Sequence, residues 1–246
     1  SLSGFNAAFA VAVLGAIVSF LLVAALIDDP PAAADAASKD VSIAVLDPEG
    51  NGLDPVFVLG VGTFLMATTI ALFATLEGPI RMRLNESTFM FSVQFAAVVI
   101  ANVLLQVPIG RASDRFGRRP FVVAGFAVLV PAVYAQGIVM DPWLMLGARF
   151  VQGIAVALVF APSLALAGDL AGERGSGTTL SVLTMAFGLG VAAGPLASGV
   201  LYNLGGFSTP FTVGAVLALG ALGLTYWQVE ETLSVEAEAA SATPQD

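Results

Sequence analysis

Apolar runs of about 20 residues recur along the whole chain, and they limit its possible folds more than any other feature. A helix of that length, rising 1.5 Å per residue, crosses a hydrocarbon core about 30 Å thick. In lipid each backbone N–H and C=O must pair within the protein, which turns such runs into helices. Seven can be read: Phe5–Ile27, Val56–Leu76, Phe89–Ile109, Phe121–Ile138, Trp143–Ala167, Leu180–Asn203 and Phe207–Val229. Of 246 residues, 57% are hydrophobic and 11% charged, whereas a water-soluble domain carries about 25% charge. The expected fold class is all-α, a polytopic membrane helical bundle.

Composition removes several chemistries. There is no cysteine and no histidine, so disulfides, thiolate metal sites and the commonest metal ligand are absent. No metal and no cofactor is expected, and no G-x-x-x-x-G-K-[ST] loop is present to cradle ATP. Net charge is −9, from 18 acidic against 9 basic residues, which argues against a nucleic-acid partner. The single lysine, Lys39, lies in an acidic stretch rather than in the last span, so a retinal receptor lacks its Schiff-base residue. Without His, Cys or paired intramembrane carboxylates, an intramembrane enzyme lacks its reacting groups. A membrane scaffold or a receptor of another kind stays open on composition. Abundant Asp and Glu with Ala and Val resembles proteins of salt-loving prokaryotes; an acidic linker and tail in an ordinary bacterium is the plainer reading.

Between the first two spans, Asp28-Asp-Pro-Pro31 through Asp54-Pro55 is rich in Ala, Asp and Pro and reads as a flexible linker. Residues after Glu231 read as a disordered acidic tail. Lys39, Arg111, Arg115, Arg118, Arg119 and Arg174 fall on one side of the predicted membrane, and only Arg81 and Arg83 on the other. The positive-inside rule then makes the 110–120 turn cytoplasmic, with Ser1 outside and Asp246 inside.

The most concentrated polar segment is Gly110-Arg-Ala-Ser-Asp-Arg-Phe-Gly-Arg-Arg-Pro120, wedged between two apolar runs. Gly110 permits a close helix approach, Gly117 a sharp reversal. Asp114 is suited to accept from a helix N-terminus, and the arginines suit an anionic membrane face. A second segment is Arg149-Phe-Val-Gln-Gly153. An arginine in a span costs roughly 2.5–3.5 kcal/mol on insertion scales, so Arg149 either faces protein or a cavity, or snorkels to the nearby boundary at Trp143. A third is Gly190-Val-Ala-Ala-Gly194-Pro195-Leu-Ala-Ser-Gly199, a small-residue face with a proline kink.

The first segment resembles the G-x-x-x-D-R-x-G-R-R loop signature of the major facilitator superfamily, matched by Gly110, Asp114, Arg115, Gly117, Arg118 and Arg119, with Arg111 inside it. The second resembles that family's R-x-x-Q-G pattern, and the third the glycine-proline helix motif of its antiporter branches. The resemblance implies a six-helix half at 56–230, a helix at 1–27 closing a missing first half, a cytoplasmic linker at 28–55 and a cytoplasmic tail at 231–246. The chain would then carry the sixth through twelfth helices; in the alternative, 56–229 is the first half. It further implies two three-helix inverted repeats, 56–138 and 143–229, and Asp114 docking on the other half. Without the missing N-terminal half, the chain alone would not transport.

For function, the resemblance implies secondary-active transport of a small-molecule solute across the plasma membrane by alternating access. Ion-coupled export of amphipathic or drug-like compounds is favoured through Gly190, Gly194, Pro195 and Gly199; sugar or metabolite uptake is the runner-up. Candidate solute or proton residues are Glu77, beside an expected helix break at Gly78-Pro79, the stripe Gln94, Asn102 and Gln106, and Arg149; Gln136 and Gln152 rank lower. Glu77 is equally an interfacial acid paired with Arg81 or Arg83.

Overall fold

The computed structural model describes residues 10, 13–22, 25, 45–46, 52–170 and 176–231. Residues 28–44 and 47–51 of the expected linker, with Lys39, Arg174 and the tail from 232 onward, lie outside the described residues, as do residues 5–9, 11–12, 23–24 and 26–27 of the first expected span. Its described part is a ten-residue apolar helix, α1 (Val13–Leu22), in a unit of its own covering residues 1–40.

The second unit, residues 41–246, holds α2 (Pro55–Ala71), a 3-10 turn (Ala74–Leu76), α3 (Glu77–Leu84), α4 (Thr88–Phe116), α5 (Arg118–Ile138), α6 (Pro142–Asp169), α7 (Ser176–Gly205) and α8 (Ser208–Gln228). With α2 and α3 counted as one span, six are long and apolar enough to cross a membrane. Two start on the same device. Asp54 accepts from the amides of Val56 (2.9 Å) and Phe57 (3.2 Å) ahead of Pro55. Asp141 accepts from Trp143 (2.9 Å) and Leu144 (3.0 Å) ahead of Pro142. In each, a carboxylate satisfies free N–H groups, and proline occupies a position whose N–H has no partner anyway.

The spans deviate from the sequence expectation at two places. The α2–α3 break falls at 72–76, ahead of Glu77, not at Gly78-Pro79. Pro79 lacks an N–H and its ring opposes the carbonyl four residues back, so the disturbance appears in the preceding turn. The expected 110–120 loop is also not a loop: α4 runs unbroken through Phe116, and α5 begins at Arg118. Gly117 alone, at φ +100°, makes the reversal, a conformation that a side chain would oppose.

α2 is the most enclosed span; α4 and α7 are the least. The main pairings are α4 with α6, α5 with α6, α2 with α7, α2 with α8 and α5 with α8. Exchanging the triplet α2/α4/α5 for α6/α7/α8 maps each of these onto another of the set or onto itself. The central core joins Met66, Val122, Phe126, Leu129, Val133, Val156 and Val159. A second cluster around Leu59, Leu166, Leu183 and Val229 closes one end, and Phe73, Ile80, Phe91, Met145 and Phe211 close the other.

Small residues set the closest approaches. A Cβ on Gly190 would stand 2.4 Å from the Phe64 carbonyl oxygen, and one on Gly194 2.8 Å from that of Thr68. Ser198 then donates to the Leu72 carbonyl at 2.8 Å. Across α4 and α6, a Cβ on Gly153 would stand 2.5 Å from the Val98 carbonyl. Gly199 and Gly110 depart from expectation, since a Cβ at either meets nothing within 4 Å. Their neighbours Ser198 and Ser113 are the enclosed residues instead, because the buried stripe follows the helical period rather than every small residue in the motif.

Candidate functional site

A buried polar cluster sits where α2, α4, α5 and α6 meet. Arg149, on the second turn of α6, is 1% exposed. Its side chain turns into the bundle instead of reaching for the helix end. Nη1 donates to Gln152 Oε1 at 2.6 Å and Nε to the Gln94 carbonyl at 3.4 Å. The guanidinium lies over the Phe73 ring at 4.1 Å, and Phe73 stacks on Phe91 with centroids 4.9 Å apart. Gln136 Nε2 donates to Gln152 Oε1 and to the Ala132 carbonyl, each at 3.1 Å. Gln94 Nε2 donates to Glu86 Oε2 at 2.7 Å and to the Pro142 carbonyl at 3.0 Å.

These bonds fix the amide orientations. Gln152 Oε1 faces two donors and Gln94 Nε2 faces two acceptors, so neither side chain can be reversed. Three buried atoms are left over, the Gln152 Nε2 donor and the Gln94 Oε1 and Glu86 Oε1 acceptors. Buried polar atoms of this kind are uncommon and carry a desolvation cost. Glu86, in the turn between α3 and α4, extends the cluster outward. Burial pushes its carboxyl above the ordinary value of 4.5, against the opposing pulls of the Gln94 hydrogen bond and the Arg81 charge.

The structure thus brings Arg149, Gln152, Gln136 and Gln94 together. Asn102 and Gln106 lie farther along α4, half-buried, and the Asn102 Oδ1 is buried without a partner. Glu77 stands apart in a half-exposed pair with Arg81 at 3.4 Å, the interfacial arrangement. Glu86 and Phe73 were missed in the sequence. A carboxylate beside a turn and a phenylalanine in an apolar run give no local signal until the helices are packed.

The second charged assembly lies at the Gly117 end. Arg118 donates from Nε to Asp114 (3.2 Å) and from Nη1 to the Ala165 carbonyl (3.1 Å) and to Asp169 at the end of α6. Asp114 therefore pairs with Arg118 rather than accepting from a helix N-terminus. That role falls to Glu231, just beyond α8, whose carboxylate accepts from the Arg118 and Arg119 amides at 3.1 and 3.0 Å. The reason is proximity: Gly117 alone separates α4 from α5, so Asp114 on the last turn of α4 stands beside Arg118 at the first position of α5. Arg119 donates to the Tyr226 carbonyl at 2.6 Å. Arg111 and Arg115 are exposed.

An apolar groove of about 180 Å³ opens between Phe57, Gly60 and Phe64 of α2 and Val182, Met185 and Leu189 of α7. None of its lining residues belongs to the Arg149 cluster, and it is smaller than the roughly 300–1,000 Å³ typical of small-molecule sites.

Residues 59–245 match the sequence profile of the Major Facilitator Superfamily. An MFS-type transporter of Metarhizium rileyi is 30% identical over 138 residues, covering 56% of this chain and 29% of that protein. The methylenomycin A resistance protein of Bacillus subtilis is 28% identical over 186 residues, 72% of this chain and 38% of that protein. The class C tetracycline resistance protein of Escherichia coli is 31% identical over 129 residues, 52% and 32% respectively. The chain spans roughly a third of the length of these curated relatives.

Proposed function

The chain belongs to the major facilitator superfamily, and on that footing we propose that its six spans form one half of a secondary-active transporter of the plasma membrane. Members of this family are transporters and not enzymes. The half moves a small solute by alternating access, against a second six-helix unit, with the Gly117 end in the cytoplasm. The observation that carries this reading is the Arg149–Gln152–Gln136–Gln94 cluster: a charge and three amides enclosed in an otherwise apolar bundle. Such groups are expensive within a membrane and mark solute or ion pathways. Gln94 also starts the α4 stripe that continues through Asn102 and Gln106, giving the pathway a direction along the helix.

Export of amphipathic or drug-like compounds, driven by an ion gradient, is the favoured form. Two relatives are named for resistance to methylenomycin A and tetracycline, and the Gly190–Pro195 segment packs α7 tightly on α2. The Arg118 assembly ties α4, α5 and α6 together and Glu231 adds the end of α8, as a gate that must hold closed and then release would require. The test is reconstitution of the complete transporter in liposomes under an imposed pH gradient, with flux of a fluorescent amphipathic dye as the readout. Gradient-driven flux that Arg149→Gln abolishes supports the reading. Flux absent in every gradient direction would leave the scaffold reading in its place.

A further inference from the structure

We propose that a small monovalent anion, a carboxylate or a halide, binds inside the six-helix half against Arg149 and Gln152. The proposal rests on reading this cluster as the solute- or ion-handling site and names what it holds. Arg149 is 1% exposed and its contacts are neutral: an amide oxygen, a backbone carbonyl and aromatic faces. The three ion pairs among the described residues involve Arg81 and Arg118 only. Glu86 reaches the cluster solely through the Gln94 amide. Carbonyl dipoles and the Phe73 face offset part of the desolvation of the guanidinium, but a buried cation with no counter-charge is strongly disfavoured.

The geometry supplies donors as well as charge. Nη1 and Nε of Arg149 donate to the Gln152 side chain and the Gln94 carbonyl, both uncharged acceptors. Gln152, 0% exposed, holds its Nε2 donor unpaired beside the same guanidinium, and its orientation is locked by Arg149 and Gln136. A guanidinium edge next to an amide N–H is the recognition pattern of a carboxylate, or of a halide taking both hydrogens. A single cationic group suits a single negative charge. Gln94 Oε1, a buried acceptor on the residue whose carbonyl holds Arg149, favours an anion that also carries a hydroxyl.

The test uses the purified full chain in detergent. Its unfolding midpoint is followed by tryptophan fluorescence during titration with sodium chloride, acetate or lactate, at constant ionic strength set by a bulky sulfonate. Wild type should show a saturable rise of several degrees, strongest for lactate if an organic acid is the natural occupant, and strongest for chloride if it is inorganic. Arg149→Lys should keep the response at higher anion concentration, and Arg149→Gln should lose it. Gln152→Glu places a carboxylate beside the guanidinium and should abolish the response while the Arg149 and Gln136 bonds persist. No saturable rise in wild type, or an undiminished one in Arg149→Gln, overturns the proposal. If Arg149→Gln does not fold, a wild-type response in Gln152→Glu overturns it equally. Because the assay reads binding and not flux, its failure leaves the transport reading standing, and anion binding without any flux would do the reverse.

Discussion

Replacing Gly190 by alanine should separate α7 from α2. The added Cβ would lie 2.4 Å from the Phe64 carbonyl oxygen, 2.8 Å from Ala67 Cβ and 3.1 Å from the Thr68 amide nitrogen. Carbon–oxygen contacts between helices settle near 3.3–3.6 Å, so α7 must retreat by about 1 Å. The obstacle is backbone, which cannot swing aside. A retreat of that size stretches the 2.8 Å bond from Ser198 Oγ to the Leu72 carbonyl beyond hydrogen-bonding range and leaves a buried hydroxyl unpaired. Overpacking costs about 1–3 kcal/mol, and an interhelical hydrogen bond in a membrane protein adds about 0.6 kcal/mol. With about 2–4 °C per kcal/mol for a domain of this size, the unfolding midpoint should fall on the order of 5–10 °C. The assay is thermal unfolding of the purified chain in detergent. Gly188→Ala is the control, since a Cβ there meets nothing within 4 Å and alanine favours helix by roughly 0.5–1 kcal/mol. A midpoint for Gly190→Ala no lower than for Gly188→Ala would refute the close approach.

Gly153→Ala should act likewise on α4 and α6, through the Val98 carbonyl 2.5 Å away, and should weaken solute or anion responses more than Gly190→Ala because Gln152 and Arg149 move with it. Glu231→Ala removes the acceptor for two amides at the start of α5 and should cost about 1–2 kcal/mol by analogy with helix caps, read as a lower unfolding midpoint. Burial raises the native Glu86 pKa above 4.5, so the folded state holds that proton more tightly than the unfolded chain. Wild type should therefore lose stability relative to Glu86→Gln as pH rises from 4.5 to the raised native value, then stay level above it; a pH-independent difference would sink this account. The cysteine-free chain also permits a direct test of orientation. Met82→Cys, at a site 78% exposed, should react with an impermeant thiol reagent added to intact cells, and Phe116→Cys, 75% exposed, only after permeabilisation.

The spans themselves were plain in the sequence, since lipid admits little except long apolar helices, and the six described ones fall where hydropathy puts them. Their ends were not. Ala112 and Arg115 favour helix and Ser113 and Asp114 oppose it only weakly, so the charges and the flanking glycines made a continuing helix look like a loop. The partners of Arg149 show the other limit. Gln152 is one turn away on the same helix and could be paired with it from spacing alone, but Gln94 arrives from α4 and Phe73 from the break after α2, while Gln136 of α5 joins through Gln152. Asp114 was assigned to a helix N-terminus on local chemistry, and tertiary packing gave that place to Glu231, more than a hundred residues away in sequence.

The glycine notches in the two strongest equivalent pairings sit on opposite members. Between α6 and α4 the notch is Gly153, on the helix that opens its triplet; between α2 and α7 it is Gly190 and Gly194, on the middle helix of that same triplet. Exchange of the triplets superimposes the pairings but not the residues that make room for them. Relative to the pairing, the room for close approach is made on one surface in the first interface and on the facing surface in the second. A search for the internal repeat by residue identity would pass over the very contacts that maintain it, and the Asp-Pro openings at 54–55 and 141–142 are the better landmark.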